Sequence, residues 1–213
     1  MKTLKINASD KIDINIAVEI AELLMEGKIV ILPTGTIYGL SCKYDRRESI
    51  DKIYKIKKRN KNQPFIVLIS RQEGLKKLVS DINPTAVKII KKFWDIKDPK
   101  SLTLIFKKNK SLEGFITGGS PNIAIRLADT GFLREIINIC GPITSTSATI
   151  SGIKTYPKKI EDIPPEIRKQ VDLIVENTSS LTGIESTIIN VTGKTPFLVR
   201  AGAVKIVFEI KNP

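Results

Sequence analysis

The chain has 213 residues, 41% of them hydrophobic, which is enough for one substantial core, and it carries a net charge of +13 with no histidine. Without histidine there can be no Ser-His-Asp or Cys-His apparatus, no His-containing zinc site and no imidazole acid–base catalysis. No apolar run approaches the eighteen or so residues of a membrane span, so an integral membrane protein is not expected. The first residues, MKTLKINASDKIDINIA, mix charged with apolar positions and lack the continuous core of a signal peptide, which points to the cytoplasm. Residues 15–27 have helical spacing, with Ile16, Val18, Ile20, Leu23 and Leu24 on or near one face and Gly27 as a stop. An apolar strand over 28–32 follows, broken by Pro33, and then a helix over about 48–59 with Ile50, Ile53, Tyr54 and Ile56 inward. Further strands are predicted over 65–70, 102–107, 123–127, 173–176, 187–191 and 198–200, and helices over 72–79, 85–94 and 132–139. The interleaving lacks strict βαβ regularity. It predicts an α/β (α+β) fold, a twisted mixed sheet flanked by helices, as a single domain over residues 1–213.

The positive charge is concentrated. Between Lys43 and Lys110 twenty Lys or Arg stand against seven Asp or Glu, and the rest of the chain is balanced at fifteen of each. Such a segment is either a field for polyanions (nucleotide phosphates, pyrophosphate or RNA) or a solvated lysine-rich surface. Cys42 and Cys140 lie far apart in apolar surroundings and read as buried free thiols.

Four segments could carry chemistry. Residues 33–40, PTGTIYGL, combine a proline break, two hydroxyls and two glycines after a strand; this is either a close-approach loop for a polar ligand or an ordinary turn between strands. Lys57 and Arg59, in KKRNKNQP at a helix end, suit a phosphate clamp or a simple complement to the helix dipole. The hydroxyl-rich TSTSATISG, 144–152, is either a phosphate or ribose contact or a self-capping turn. The fourth is GIEST, 183–187, with Arg200 further on. There is no G-x-x-x-x-G-K-[ST] loop and no G-x-G-x-x-G after a strand, and no aromatics accompany the basic run to stack on single-stranded RNA.

Taken in order, PTGTIYGL (33–40), the K-x-R of KIKKRNKNQPF (55–65), SPNIAIRL (120–127), STSATISG (145–152), GIESTIINV (183–191) and LVRAGA (198–203) resemble the YrdC family of threonylcarbamoyl-AMP synthases. The resemblance runs from about Val30 to Gly202. It implies a YrdC-like fold with a concave, positively charged groove and a histidine-free nucleotidyltransferase. In that family L-threonine and bicarbonate form a carbamate whose oxygen attacks the α-phosphate of ATP and releases pyrophosphate. Partner proteins then use the adenylate to modify tRNA. In-line attack at phosphorus needs positioning and charge neutralisation above all, here from Lys, Arg and Mg2+ brought with ATP.

Carried over by position, Lys57 and Arg59 hold phosphates as the catalytic pair. Gln63, Asn122, Ser147, Thr149, Thr155 and Arg200 join them around ATP, and Thr36, Arg126, Ser145 and Ser186 line the threonine pocket, Arg126 pairing with the substrate carboxylate. No metal site made by the protein itself is implied. Three departures stand out: Gly35 where the family carries Asp or Glu, Thr149 where it has the asparagine of S-x-N, and residues 95–101 in place of a W-P-G-P turn after Trp94. They leave open a second reading, a non-catalytic paralogue binding nucleotide or double-stranded RNA.

Overall fold

The computed structural model describes residues 2–7, 13–95, 100–153 and 155–206. Helix α1, Ile14–Met25, begins where Asp13 accepts a hydrogen bond from the Asn15 amide at 2.9 Å, and it buries Ala17, Ile20, Ala21 and Leu24 at helical spacing. Helix α2, Arg47–Ile56, buries Ile50, Ile53, Tyr54 and Ile56 as expected, but stops at Ile56, so Lys57 and Arg59 lie in the turn after it. The expected helix over 72–79 is a tight turn, Gln72–Gly74, followed by a single α-turn, α3, Leu75–Leu78. Asn83 caps α4, Pro84–Phe93, through the Ala86 amide, and Thr130 caps α5, Gly131–Cys140, through the Leu133 amide. A last short helix, α6, is Pro165–Arg168.

Ten strands form one mixed sheet: β1 Lys2–Ile6, β2 Val30–Pro33, β3 Tyr38–Lys43, β4 Ile66–Ile69, β5 Leu102–Lys107, β6 Asn122–Leu127, β7 Ile143–Ser147, β8 Leu173–Asn177, β9 Thr187–Asn190 and β10 Phe197–Arg200. Their spatial order is β1-β8-β2-β3-β7-β4-β6-β5-β9-β10, with parallel pairs (β1/β8, β2/β8, β4/β6, β5/β9) among antiparallel ones. The expected twisted mixed sheet flanked by helices is therefore the architecture found. Sequence reading missed β1, β3 and β7. The composition of the last two suggests turns, yet they lie side by side in the middle of the sheet.

Alternation along the strands assigns the cores. Val30 and Leu32 of β2 pack with α1 and α5, whereas Ile31 points to the opposite face with Ile50 and Ile53 of α2. A third cluster gathers Trp94, Leu75, Leu78 and Ile90 over Ile123, Ile125 and Leu127 of β6 and Leu102, Leu104 and Phe106 of β5. Trp94 closes that cluster by donating its indole N–H to the Leu102 carbonyl at 3.0 Å. Both cysteines are buried and unbridged. No helix of the described residues is long and apolar enough to cross a membrane.

Candidate active site

The same alternation that sends Ile123, Ile125 and Leu127 into a core turns Ala124 and Arg126 to the other face of β6. Ladder register then lines up neighbours across strands. Ser145, Ile66, Ala124 and Ile105 form one row, and Leu68, Arg126, Thr103 and Ile188 the next. Together with the loop 34–37 and the segments 59–65 and 185–200, these rows enclose a cleft of about 240 Å³. Three arginines, Arg59, Arg126 and Arg200, and one carboxylate, Glu185, line it beside the hydroxyls of Thr34, Thr36, Ser145, Thr146, Ser147 and Ser186.

The loop between β2 and β3 is a tight structure of its own hydroxyls. Thr34 Oγ1 donates to the Ile37 carbonyl at 2.7 Å and lies 3.4 Å from Thr36 Oγ1. The Thr36 carbonyl is anchored from across the cleft by the Gly183 amide at 2.9 Å and by Thr182 Oγ1 at 3.2 Å. Gly39 is required by close approach, since a Cβ there would sit 2.4 Å from Ser145 Oγ on the neighbouring strand and 2.9 Å from Thr34 Cγ2.

Arg126, 5% exposed, donates from Nη1 to Thr36 Oγ1 at 3.2 Å, and from Nη2 to the Thr34 carbonyl at 2.8 Å and to Asp129 Oδ2 at 2.6 Å. Arg200 pairs with Glu185 at 2.6 Å and donates to the Ser186 carbonyl, and Ser186 Oγ is hydrogen-bonded to Thr103 Oγ1 at 2.8 Å. Burial first, and the Glu185 carboxylate second, raise the Tyr156 phenol to about 12. Arg59 donates to the Gln63 and Pro64 carbonyls with its guanidinium 5.5 Å from the Phe65 ring centre, and burial draws its pKa below the ordinary arginine value.

Of the twelve site residues expected from sequence, Thr36, Arg59, Arg126, Ser145, Ser147, Ser186 and Arg200 come together on this cleft. Lys57 stands behind it, 1% exposed, with its ammonium donating to the Ser147 and Thr149 carbonyls, the latter at 2.6 Å. Burial, then the neighbouring Arg59 charge, lower its pKa to about 7 against the partial opposition of Glu185. Thr149 is buried, its hydroxyl on Ser147 Oγ at 3.0 Å. The Gln63 side chain is exposed, and its carbonyl serves Tyr54 and Arg59. Asn122 is half-buried at the start of β6, and Thr155 is exposed. Neither of them, nor Gln63, lines the cleft.

Sequence reading passed over Glu185 and Asp129 as site residues. Glu185 lay within the quoted GIEST segment, and Asp129, three positions after Arg126, carried the signal of an opposite charge.

A family model described as telomere recombination, Sua5/YciO/YrdC, matches residues 22–202. The chain belongs to this family. Two relatives named threonylcarbamoyl-AMP synthase bear this out. The one from Pyrococcus abyssi is 31% identical, the alignment covering 98% of this chain and 62% of that protein. The one from Bacillus subtilis is 33% identical, over 86% of this chain and 52% of that protein. The chain thus spans about half to three-fifths of the length of these two relatives. Among solved structures, P. abyssi Sua5 complexed with L-threonine superposes with a TM-score of 0.85 at 28% identity, over 95% of this chain and 58% of that one. Escherichia coli YciO has the same fold, with a TM-score of 0.84 over 96% of this chain and 98% of that one, at 22% identity.

Proposed function

We propose that this chain makes threonylcarbamoyl-AMP and pyrophosphate from L-threonine, bicarbonate and ATP, and that partner proteins use the product to modify tRNA. The observation that carries the reading is the joining of Arg126, Thr36, Ser145 and Ser186 in one cleft with Arg59, Arg200 and Ser147. The first four suit a small amino acid with a carboxylate and a hydroxyl; the last three suit phosphates. The P. abyssi relative that binds L-threonine shares the fold over nearly the whole chain, which supports the same ligand here.

In this reading the threonine amine condenses with bicarbonate, losing water, and the carbamate oxygen attacks the α-phosphorus as pyrophosphate departs with the bonding electrons. Arg126 and the Thr36 hydroxyl hold the threonine carboxylate, with Ser145 and Ser186 beside it. Arg59 and Arg200 neutralise phosphate charge, which is the principal demand of phosphoryl and nucleotidyl transfer. Lys57 acts one step back, fixing the carbonyls of Ser147 and Thr149 and so the shape of the phosphate end. Magnesium enters as part of the ATP substrate. Among the described residues no group of three or more Cys, Asp or Glu could hold a metal, and Glu185 is engaged by Arg200. The test is direct detection of the adenylate on mixing protein with ATP, L-threonine and bicarbonate. Adenylate absent from folded protein supplied with all three substrates overturns the proposal.

A further inference from the structure

Arg126 and Asp129 form an ion pair with side chains only 6% and 10% exposed, and the pair is incompletely satisfied. Arg126 Nε and Asp129 Oδ1 are buried without a hydrogen-bond partner. The other atoms each have partners: Nη1 donates to Thr36 Oγ1, Nη2 to the Thr34 carbonyl and Ser101 Oγ, and Asp129 Oδ2 accepts from both Ser101 Oγ and Nη2. The carboxylate lies directly against Gly35. A Cβ at that position would stand 2.8 Å from Oδ1 and 3.1 Å from Oδ2, and Gly35 also has φ +76°. Asp129 therefore fills the volume that a side chain at position 35 would need.

A buried guanidinium deprived of its counter-ion is strongly disfavoured and turns toward other acceptors or water. The direction in which Arg126 faces Thr36 thus depends on a carboxylate that does not itself line the cleft. We propose that Asp129 is a positioning residue for the amino-acid end of the site. It holds Arg126 and the 34–36 loop from behind, through the space left by Gly35, and so presents the guanidinium and the Thr36 hydroxyl to a substrate carboxylate. The proposal rests on the reading that L-threonine binds here.

Two measurements test it. Calorimetric titration of folded Asp129→Asn and Asp129→Ala should show the L-threonine Kd raised by about tenfold or more, roughly 1.4 kcal/mol, with ATP affinity nearly unchanged. An unchanged or tighter threonine Kd overturns the proposal, and so does an equal loss of both ligands. The second measurement needs no ligand: a double-mutant cycle of Gly35→Ala and Asp129→Ala followed by urea unfolding. Gly35→Ala should destabilise the parent clearly more than it destabilises the Asp129→Ala protein, whereas strict additivity overturns the packing on which the proposal stands. A parent protein that binds no threonine overturns the functional reading itself. That result is distinct from a parent that binds threonine alongside variants that bind it equally well.

Discussion

With its ammonium spent on the carbonyls of Ser147 and Thr149 and its pKa drawn down to about 7, Lys57 gives the fold a measurable pH dependence. Below pH 7 folded and unfolded chains both hold the proton, and the buried charge is a destabilising contribution in full. Between about pH 7 and the ordinary lysine value the unfolded chain keeps a proton the folded one has released, so stability rises with pH. Wild type should therefore gain on Lys57→Met by up to about 1.4 kcal/mol per pH unit from pH 7 to 9.5, measured by urea unfolding; parallel profiles would count against the assignment. Arg59 differs because it lines the cleft. Arg59→Ala should lower kcat/KM by roughly 100-fold, on the scale of losing a charge-assisted contact made in the transition state. Lys77→Ala, on the exposed surface of α3, should leave it within about twofold. Equal losses in both variants would remove Arg59 from the phosphate end.

At the scale of elements, what the sequence made legible followed hydrophobic period. Helices α1 and α2 are legible because their apolar residues recur on one face, α1 ending at Gly27, and the structure adds the caps Asp13, Asn83 and Thr130 of α1, α4 and α5. Strands β3 (YGLSCK) and β7 (ITSTS) were missed because glycine, serine and threonine mark turns in sequence. Here the same residues sit in central strands with neighbours on both sides; Ser145, Thr146 and Ser147 line the cleft, while Ser41 and Thr144 bond across the β3–β7 pair. The site residues were legible only through ordered motifs: no periodicity singles out Arg126, and the opposite charge of Asp129 three positions on gains meaning when β6 ends beside the 34–36 loop. Gly39 tests the β3–β7 contact. Gly39→Ala should cost about 1–3 kcal/mol as overpacking in urea unfolding, and Ser145→Ala should relieve part of that cost. A neutral Gly39→Ala would contradict the 2.4 Å approach. Leu24→Ala, which hollows the α1–α5 face of the sheet, should cost about 2–5 kcal/mol by the same assay.

For the whole molecule, the basic segment between Lys43 and Lys110 divides into two parts. Most of its described lysines are exposed, among them Lys52, Lys55, Lys76, Lys77, Lys88 and Lys91 on helices, as a solvated surface requires. The turn after α2 brings this charge to the cleft, with Arg59 on it and Lys57 behind it. The sheet brings this turn, the β2–β3 loop, β7 and the segment 185–200 to one place from positions spread over most of the chain. The proposed activity joins an amino acid to a nucleotide in the resulting cleft without histidine. Its most direct measurement is pyrophosphate release from ATP by the purified, folded protein, with L-threonine and bicarbonate each supplied or withheld. Release that requires both, accompanied by threonylcarbamoyl-AMP and abolished in Arg126→Ala, is the predicted result. Release indifferent to threonine, or none under any combination, would contradict it.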